Sequence, residues 1–391
     1  MVATPPPDSA GASSGTSGRG GRASATRRER LRSHRLSAPA PSVAAAARHM
    51  LATQGQEFWG GRWALAARTK GRATIRDVDA AFERGEIVRS WTMRGTIHVI
   101  PSEDLAWVLS ITGERQGRQV AAVRRAEGID DDEMARTEQI ARAALSGGNR
   151  LTRKELFEAL EAGGVSTAGQ RGYHLLVSLS LRAIVCQGPI VPREGGPTRE
   201  QYIVLTEEWI QDAASPANPL AELFTRFIAS HGPAGARDFA WWTGLPLGVA
   251  RSAAVESLAL SDGRRDEASA RLTVVAEQPE PQYVVTGPAV PRRSAAAPEV
   301  LALPPFEEYF LSYADRTVPC APEFLSAIGP GLNGIVRPII VARGEIVGVW
   351  THSVAVGRHA DDPVPVLFTQ GSATDLEVAA ALDRYRDFIT A

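Results

Sequence analysis

Residues 74–111 read TIRDVDAAFERGEIVRSWTMRGTIHVIPSEDLAWVLSI. Thr74, with Asp77 three positions on, is a capping pair that opens a helix, and Gly85 is its stop. Glu86 to Trp91 and Thr96 to Ile100 are β-branched, alternating runs joined by Thr92-Met93-Arg94-Gly95, the pattern of a hairpin. Pro101-Ser102-Glu103-Asp104 then starts another helix, with acid in its first turn, leading into Leu105 to Ile111. Helices followed by a hairpin are the order of a winged-helix unit.

The same order recurs twice. Thr152-Arg153-Lys154-Glu155-Leu156 and Gly235-Ala236-Arg237-Asp238-Phe239 repeat the step from Thr74 to Val78. Each is followed by a helical stretch, near residues 169–182 and 246–258, and then by paired strands, 183–187 with 201–205 and 272–276 with 282–286. Three copies in matching context predict tandem domains. Beyond Thr286 the chain is apolar and β-branched, punctuated by Pro and Gly. Residues 341–346 read as a hairpin and 375–389 as a closing amphipathic helix, so this part is expected to form a small β-barrel. The expected fold class is mainly α with β. Its domains are a disordered tail over 1–26, winged helices over 27–128, 129–211 and 212–285, and a barrel over 286–391.

Hydrophobic content of 44% and charged content of 22% are ordinary for a soluble globular protein. No run approaches the ~20 apolar residues that cross a bilayer, and the N-terminus has no apolar leader. A cytoplasmic, nucleoid-associated location is expected. Cys186 and Cys320 are too few for a disulfide framework or a zinc motif. No metal and no organic cofactor is suggested. A net charge of −1 argues against indiscriminate coating of nucleic acid, although a local basic face remains compatible with it. Arg27 to Arg35 is a dense basic block, either a solvated tail or an arm along phosphates.

The candidate chemistry lies just before the first hairpin, in LATQGQEFWGGRWALAAR, residues 51–68. An Ala-rich helix capped by Ser42 is expected to run to about Thr53, and a second helix to cover Glu57 to Arg68. Gln54 and Gln56 are neutral amides that can orient a water or read a base edge, or simply end a helix. On a helix, residues two apart diverge by about 200°, so both can face one substrate only where the helix has ended. Glu57 is either a nearby base or a first-turn carboxylate. Trp241-Trp242 is either core or a stacking platform. Glu307 and Glu308, in PFEEYF, are either ion-paired to Arg316 or Arg337, or a paired-carboxylate site. Candidate DNA contacts are Arg28, Arg32 and Arg35 in the basic block, Arg62 in the Trp-rich run, and Arg94 and His98 on the hairpin. Gln170 and Arg171 complete the set, at the start of the second repeat's recognition helix.

With these residues in view, the chain resembles the winged-helix DNA-binding family that includes the AlkZ-type DNA glycosylases. The resemblance rests on Gln54-Gly55-Gln56, SWTMRGTIHVIPSEDLAW at 90–107, GQRGYHLL at 169–176 and HGPAGARDFAWWTGLP at 231–246. LPPFEEYFLSYADR at 303–316 and LNGIVRPIIVARGEIVGVW at 332–350 complete it. It implies three tandem winged helices and a barrel forming a concave surface for duplex DNA. It also implies removal of alkylated purines, in some members within interstrand crosslinks. Gln54 and Gln56 occupy the catalytic Q-x-Q positions, with Gly55 where the family usually carries an aliphatic residue. Two functions follow as alternatives: a monomeric glycosylase acting on damaged duplex DNA, or a non-catalytic regulator or architectural protein with the same fold.

Overall fold

The computed structural model describes residues 15–262, 271–276, 280–287, 298–331 and 334–391. Its helices are α1 (Gly15–Ser33), α2 (Val43–Met50), α3 (Phe58–Ala67), α4 (Ile75–Glu83), α5 (Leu105–Ala126), α6 (Asp131–Leu145), α7 (Arg153–Ala162) and α8 (Arg171–Leu181). They continue with α9 (Thr206–Trp209), α10 (Pro219–His231), α11 (Ala236–Thr243), α12 (Leu247–Asp262), α13 (Glu308–Leu311), α14 (Leu325–Ile328) and α15 (Asp375–Thr390). The strands are β1 (Thr53–Gln54), β2 (Ile87–Met93), β3 (Thr96–Pro101), β4 (Val185–Ile190), β5 (Gln201–Leu205) and β6 (Arg271–Ala276). After them come β7 (Gln282–Thr286), β8 (Val300–Leu303), β9 (Ile339–Ala342), β10 (Glu345–Thr351) and β11 (Val364–Leu367).

The three capping echoes all stand at helix N-termini. Thr74 and Asp77 exchange hydrogen bonds at the start of α4, and Thr152 and Glu155 at the start of α7. At α11 the Gly235 N–H donates to the Asp238 carboxylate at 3.0 Å. Each satisfies amides that a helix leaves unpaired. The burial pattern of α4, with Ile75, Val78, Ala81 and Phe82 inward, follows the 3.6-residue period. Helix–helix–hairpin order therefore occurs three times, but the hairpins do not form three separate sheets. The first two share one sheet, in the order β1-β3-β2-β4-β5, joined where Arg89 of β2 stands opposite Gln187 of β4. The third, β6-β7, is a two-stranded sheet of its own.

Two apolar cores cut across the expected boundaries. One gathers the inner face of the β2-β3 hairpin, α5, the second repeat and the third. The other joins α3 and α4 to β8–β10 and α15, so the first helices share their core with the C-terminal part of the chain. The Trp-rich run drives that union. Trp63 donates its indole N–H to Ala302 O at 2.8 Å and packs on Tyr385 and Phe388, while Trp59 packs on Trp350.

Several expectations are corrected. Among the described residues the C-terminal part is no barrel: its strands form an open sheet in the order β11-β10-β9-β8. Of the tail expected to be disordered, residues 1–14 lie outside the described residues, and from Gly15 the chain is helical. The Ala-rich helix stops at Met50 rather than near Thr53, because Leu51 turns to φ 64° and Thr53-Gln54 pair with β3. Helix α5 runs to Ala126, well beyond Ile111; where it crosses α8, a Cβ on Gly113 would stand 2.7 Å from Leu181 O, so the crossing admits only glycine. Helix α6 had no counterpart in the sequence reading.

Candidate active site

Gln54-Gly55-Gln56 runs from the end of β1 into a bend at Gln56 and lies beside the β2-β3 hairpin. Thr53 and Gln54 stand opposite Val99 and His98, and the Gly55 N–H donates to Ile97 O at 2.8 Å. Both glutamine side chains turn to the hairpin. Gln54 Oε1 accepts from Arg94 Nη2 at 3.3 Å, and Gln56 Oε1 accepts from the Ile97 N–H at 3.4 Å. The helix break that the pair requires is thus present: β1 ends at Gln54, and the chain bends at Gln56 before α3 begins. Gln54 is buried and Gln56 exposed.

Gly55 sits at a close approach. The Cβ that Gly61 of α3 lacks would stand 3.0 Å from Gly55 Cα, and a Cβ on Gly55 would meet Val99 Cγ2 at 3.2 Å. From the other side Arg89 braces the segment. Its Nε donates to Gly55 O at 2.9 Å, its Nη1 to Gln187 Oε1 at 2.7 Å and its Nη2 to Gln56 O at 3.5 Å. Burial, with Arg62 nearby, lowers the Arg89 pKa to about 10, so it remains charged. The second repeat, through Gln187, thereby helps fix the glutamine segment.

Behind Gln54 lies Glu308, at the start of α13 and 1% exposed. Its Oε1 accepts the Gln54 backbone N–H at 2.7 Å; its Oε2 accepts from Trp242 Nε1 at 3.1 Å and from the Ser312 hydroxyl. His231 Nε2 stands 3.8 Å away. Burial opposes ionisation of Glu308, yet His231, His98 and Arg94 outweigh it and hold the carboxyl at about 2. Its neighbour Glu307 has a different partner, the buried guanidinium of Arg68. Neither carboxylate pairs with Arg316 or Arg337, as the sequence had suggested. Arg316 instead lies over the rings of Trp241 and Phe310, each 5.1 Å from its guanidinium carbon, and Arg337 donates to Ala327 O. Of the tryptophan pair, Trp242 is fully buried against Phe227 and His231, in line with the core reading, while Trp241 is 44% exposed and donates its indole N–H to Leu311 O at 2.8 Å.

The other predicted contacts separate by burial. Arg62 is 1% exposed, bound to Asp79 at 2.9 Å and to Thr198 O at 2.6 Å, so it is a structural cation and not a DNA contact. His98 is fully buried and points inward, its Nδ1 on the Thr92 hydroxyl at 2.9 Å, which removes it from the DNA-facing set as well. Its Nε2 has no hydrogen-bond partner, and burial lowers its pKa to about 4. Arg171 is engaged by Glu133 and by the carbonyls of Glu127 and Ser166. In the basic block Arg32 bonds Glu29 and Arg35 bonds His49, while Arg28 is exposed with Ser24 as its partner. Gln170 is exposed at the N-cap of α8, and Arg94 is half-buried in the hairpin turn. Glu57, the N-cap of α3, is exposed and makes no side-chain cap bond. Among the described residues no group of three or more His, Cys, Asp or Glu is placed to hold a metal ion, and no helix is long and apolar enough to cross a membrane.

Sequence reasoning missed Arg89 and Gln187 as parts of the site. The signal for Arg89 was an arginine inside a strand whose every residue is buried, a position that demands polar partners.

Comparison with known proteins bears on the fold and the family. The curated Interstrand DNA cross-link repair glycosylase of Streptomyces sahachiroi is 26% identical over 281 residues, covering 68% of this chain and 70% of that protein. The solved structure of Streptomyces sahachiroi DNA glycosylase AlkZ superposes with a TM-score of 0.70 at 20% identity, covering 94% of this chain and 96% of the other. Residues 47–388, from before the glutamine segment to the end of the last helix, match the family described as DNA glycosylase AlkZ-like, and the chain belongs to that family.

Proposed function

We propose that this protein is a monofunctional DNA glycosylase that releases cationic alkylated purines from duplex DNA, including those within interstrand crosslinks, by attack of water at the anomeric carbon. The carrying observation is the Gln54-Gly55-Gln56 segment, with one glutamine buried and anchored in the protein and the other exposed, beside the half-buried Arg94. A purine alkylated at N7 or N3 already carries the positive charge that makes it a good leaving group. The glycosidic C–N bond breaks with its electron pair going to the base, which departs neutral. Water oxygen bonds the anomeric carbon, and its proton passes to solvent. Neutral amides can perform the remaining task by accepting a hydrogen bond from the water and donating to sugar or phosphate. They supply no general base, so uracil and undamaged bases are poor substrates.

The DNA-facing residues in this reading are Arg94, Gln170 and Arg28, which are exposed or half-buried, with Arg316 near Arg94 and lying over Trp241. Support for crosslinked substrates comes from the name of the Streptomyces sahachiroi relative. The purified chain is incubated with duplex DNA carrying 7-methylguanine and, separately, an interstrand alkyl crosslink. Base release is expected, and Gln54→Ala and Gln56→Ala should each lower it at least ~100-fold while duplex binding persists. Binding without release by the unmutated chain would make it a non-catalytic DNA-binding protein instead.

A further inference from the structure

An oxocarbenium-like sugar is cationic, and enzymes that cleave glycosidic bonds ordinarily face it with a carboxylate. Neither Gln54 nor Gln56 can provide one. The nearest carboxylate along the chain, Glu57, is exposed at the N-cap of α3, where water screens it. Glu308 is the opposite case. It comes from residues 254 positions away in sequence, is buried, and accepts the backbone N–H of Gln54 itself at 2.7 Å.

We infer that Glu308 supplies the negative charge the glutamine pair lacks, stabilising the cationic sugar through the low-dielectric protein behind Gln54 and fixing the Gln54 amide as it does so. This rests on the glycosylase reading above.

Three features distinguish Glu308 from an ordinary buried carboxylate. Its close donors are neutral, the Gln54 amide, the Trp242 indole and the Ser312 hydroxyl, and they hold a charge without cancelling it. Glu307, next to it, shows the contrast, since its charge is spent on Arg68. Second, burial pushes the imidazoles of His231, at 3.8 Å, and of His98 below their usual pKa, so at neutral pH they offset little of the carboxylate's charge and gain their own only in acid, where they keep Glu308 ionised. Third, the facing cation, Arg94, is tied to the site by a 3.3 Å bond to Gln54 Oε1 and has an unpartnered Nε. A DNA phosphate can draw Arg94 outward, leaving Glu308 as the uncompensated charge behind the glutamine. Glu308 touches no substrate in this scheme and is a positioning residue whose field acts on the reaction.

The test compares two abasic-site analogues in otherwise identical duplexes: a cationic pyrrolidine, which imitates the charged sugar, and a neutral tetrahydrofuran. The wild-type chain should prefer the pyrrolidine. Glu308→Gln, which keeps shape and an acceptor for the Gln54 amide, should lose roughly 10- to 100-fold of that preference, with a similar fall in the single-turnover release rate. Its affinity for the tetrahydrofuran duplex should stay near wild type. Glu308→Asp keeps the charge and displaces it, and should retain more of the preference than Glu308→Gln. A purely structural role predicts the reverse ranking of Asp and Gln, and that ranking, or an unchanged preference in Glu308→Gln, would overturn the inference. Should Glu308→Gln not fold, Trp242→Phe takes its place. With the indole donor removed, the Glu308 carboxylate is held less firmly behind Gln54, so at pH 7 the preference for the pyrrolidine should fall below wild type while affinity for the tetrahydrofuran duplex stays; an unchanged preference overturns the inference. A wild-type chain with neither release nor preference for the pyrrolidine defeats the glycosylase reading itself.

Discussion

The two ends of one five-residue segment, Thr53 to Glu57, occupy different physical worlds. At the Gln54 end the chain is buried, paired to β3, and held by Glu308 through its amide and Arg94 through its side chain. At the Gln56 end the residue is exposed, with a long 3.4 Å bond from the Ile97 N–H and a 3.5 Å contact from Arg89 to its carbonyl. Gln54 is pre-organised: little entropy remains to be lost when substrate arrives. Gln56 can exchange its weak bond for one to water or DNA. A pair that is rigid at one end and free at the other suits a reaction in which one amide sets geometry while the other follows an incoming water.

Arg89 is the strut common to both ends, and of the changes around the glutamines rather than in them its removal should have the largest effect. Arg89→Met keeps much of the apolar stem and deletes the bonds to Gly55 O, Gln56 O and Gln187. Release of 7-methylguanine is expected to fall about 30-fold, less than the roughly 100-fold or more that loss of a catalytic hydrogen bond itself costs, because Arg89 acts through the backbone of the segment, with Tm reduced by a few degrees. Gln187→Ala frees a single arm of the same guanidinium and should cost less than Arg89→Met. Equal losses would show that the second repeat, rather than the local carbonyl bonds, sets the segment.

Acid should break the buried end. His98 lies opposite Gln54 and is neutral, its pKa lowered from 6.5 to about 4 by burial. The unfolded chain therefore takes up this proton first. Stability from His98 is present above about pH 6.5, is lost as pH falls toward 4, and changes no further below that. The loss is about 3 kcal/mol across the window if the shift is fully expressed. Glu308 acts in the same direction at lower pH: its stabilisation is lost between its unfolded value of 4.5 and about 2. Chemical denaturation at pH 7, 5.5 and 4.5 should show His98→Gln with a shallower pH slope than wild type. Parallel slopes would mean that His98 does not take up the proton.

What could be read from the sequence, and what could not, follows the same division between local and distant contacts. Capping at Thr74, Thr152 and Gly235 is local chemistry over three residues, so it was legible. The two-residue turns Arg94-Gly95 and Arg343-Gly344, all at positive φ, were legible for the same reason. The glutamine pair was legible as a motif, and the need for a helix break followed from helix geometry. The Glu308 bond to Gln54, the Arg89–Gln187 bond and the merging of two hairpins into one sheet join residues far apart in sequence, and no periodicity encodes them. Apolar, β-branched runs likewise predict strands without saying whether a sheet closes, which is why an open sheet read as a barrel.

The smallest expected effect concerns Gly55, and it asks whether the rigid end tolerates a side chain at the centre of the motif. Gly55 is not among the glycines at positive φ, so its backbone is open to any residue, and the constraint is space. A Cβ there meets the Val99 Cγ2 methyl at 3.2 Å, a contact that a few tenths of an ångström relieve. Gly55→Ala should thus cost no more than about 1 kcal/mol of stability and alter release by less than about threefold, partly offset by the reduced freedom of the unfolded chain. Val99→Ala in the same chain should remove the crowding penalty while opening a small cavity of its own. Gly61→Ala should be worse than Gly55→Ala, since its Cβ would meet the Gly55 backbone at 3.0 Å, and backbone held by Arg89 and Glu308 has nowhere to go. If Gly61→Ala proved the milder change, the Gln54 end would be more yielding than its hydrogen bonds indicate, and the distinction between a fixed and a free glutamine would fail.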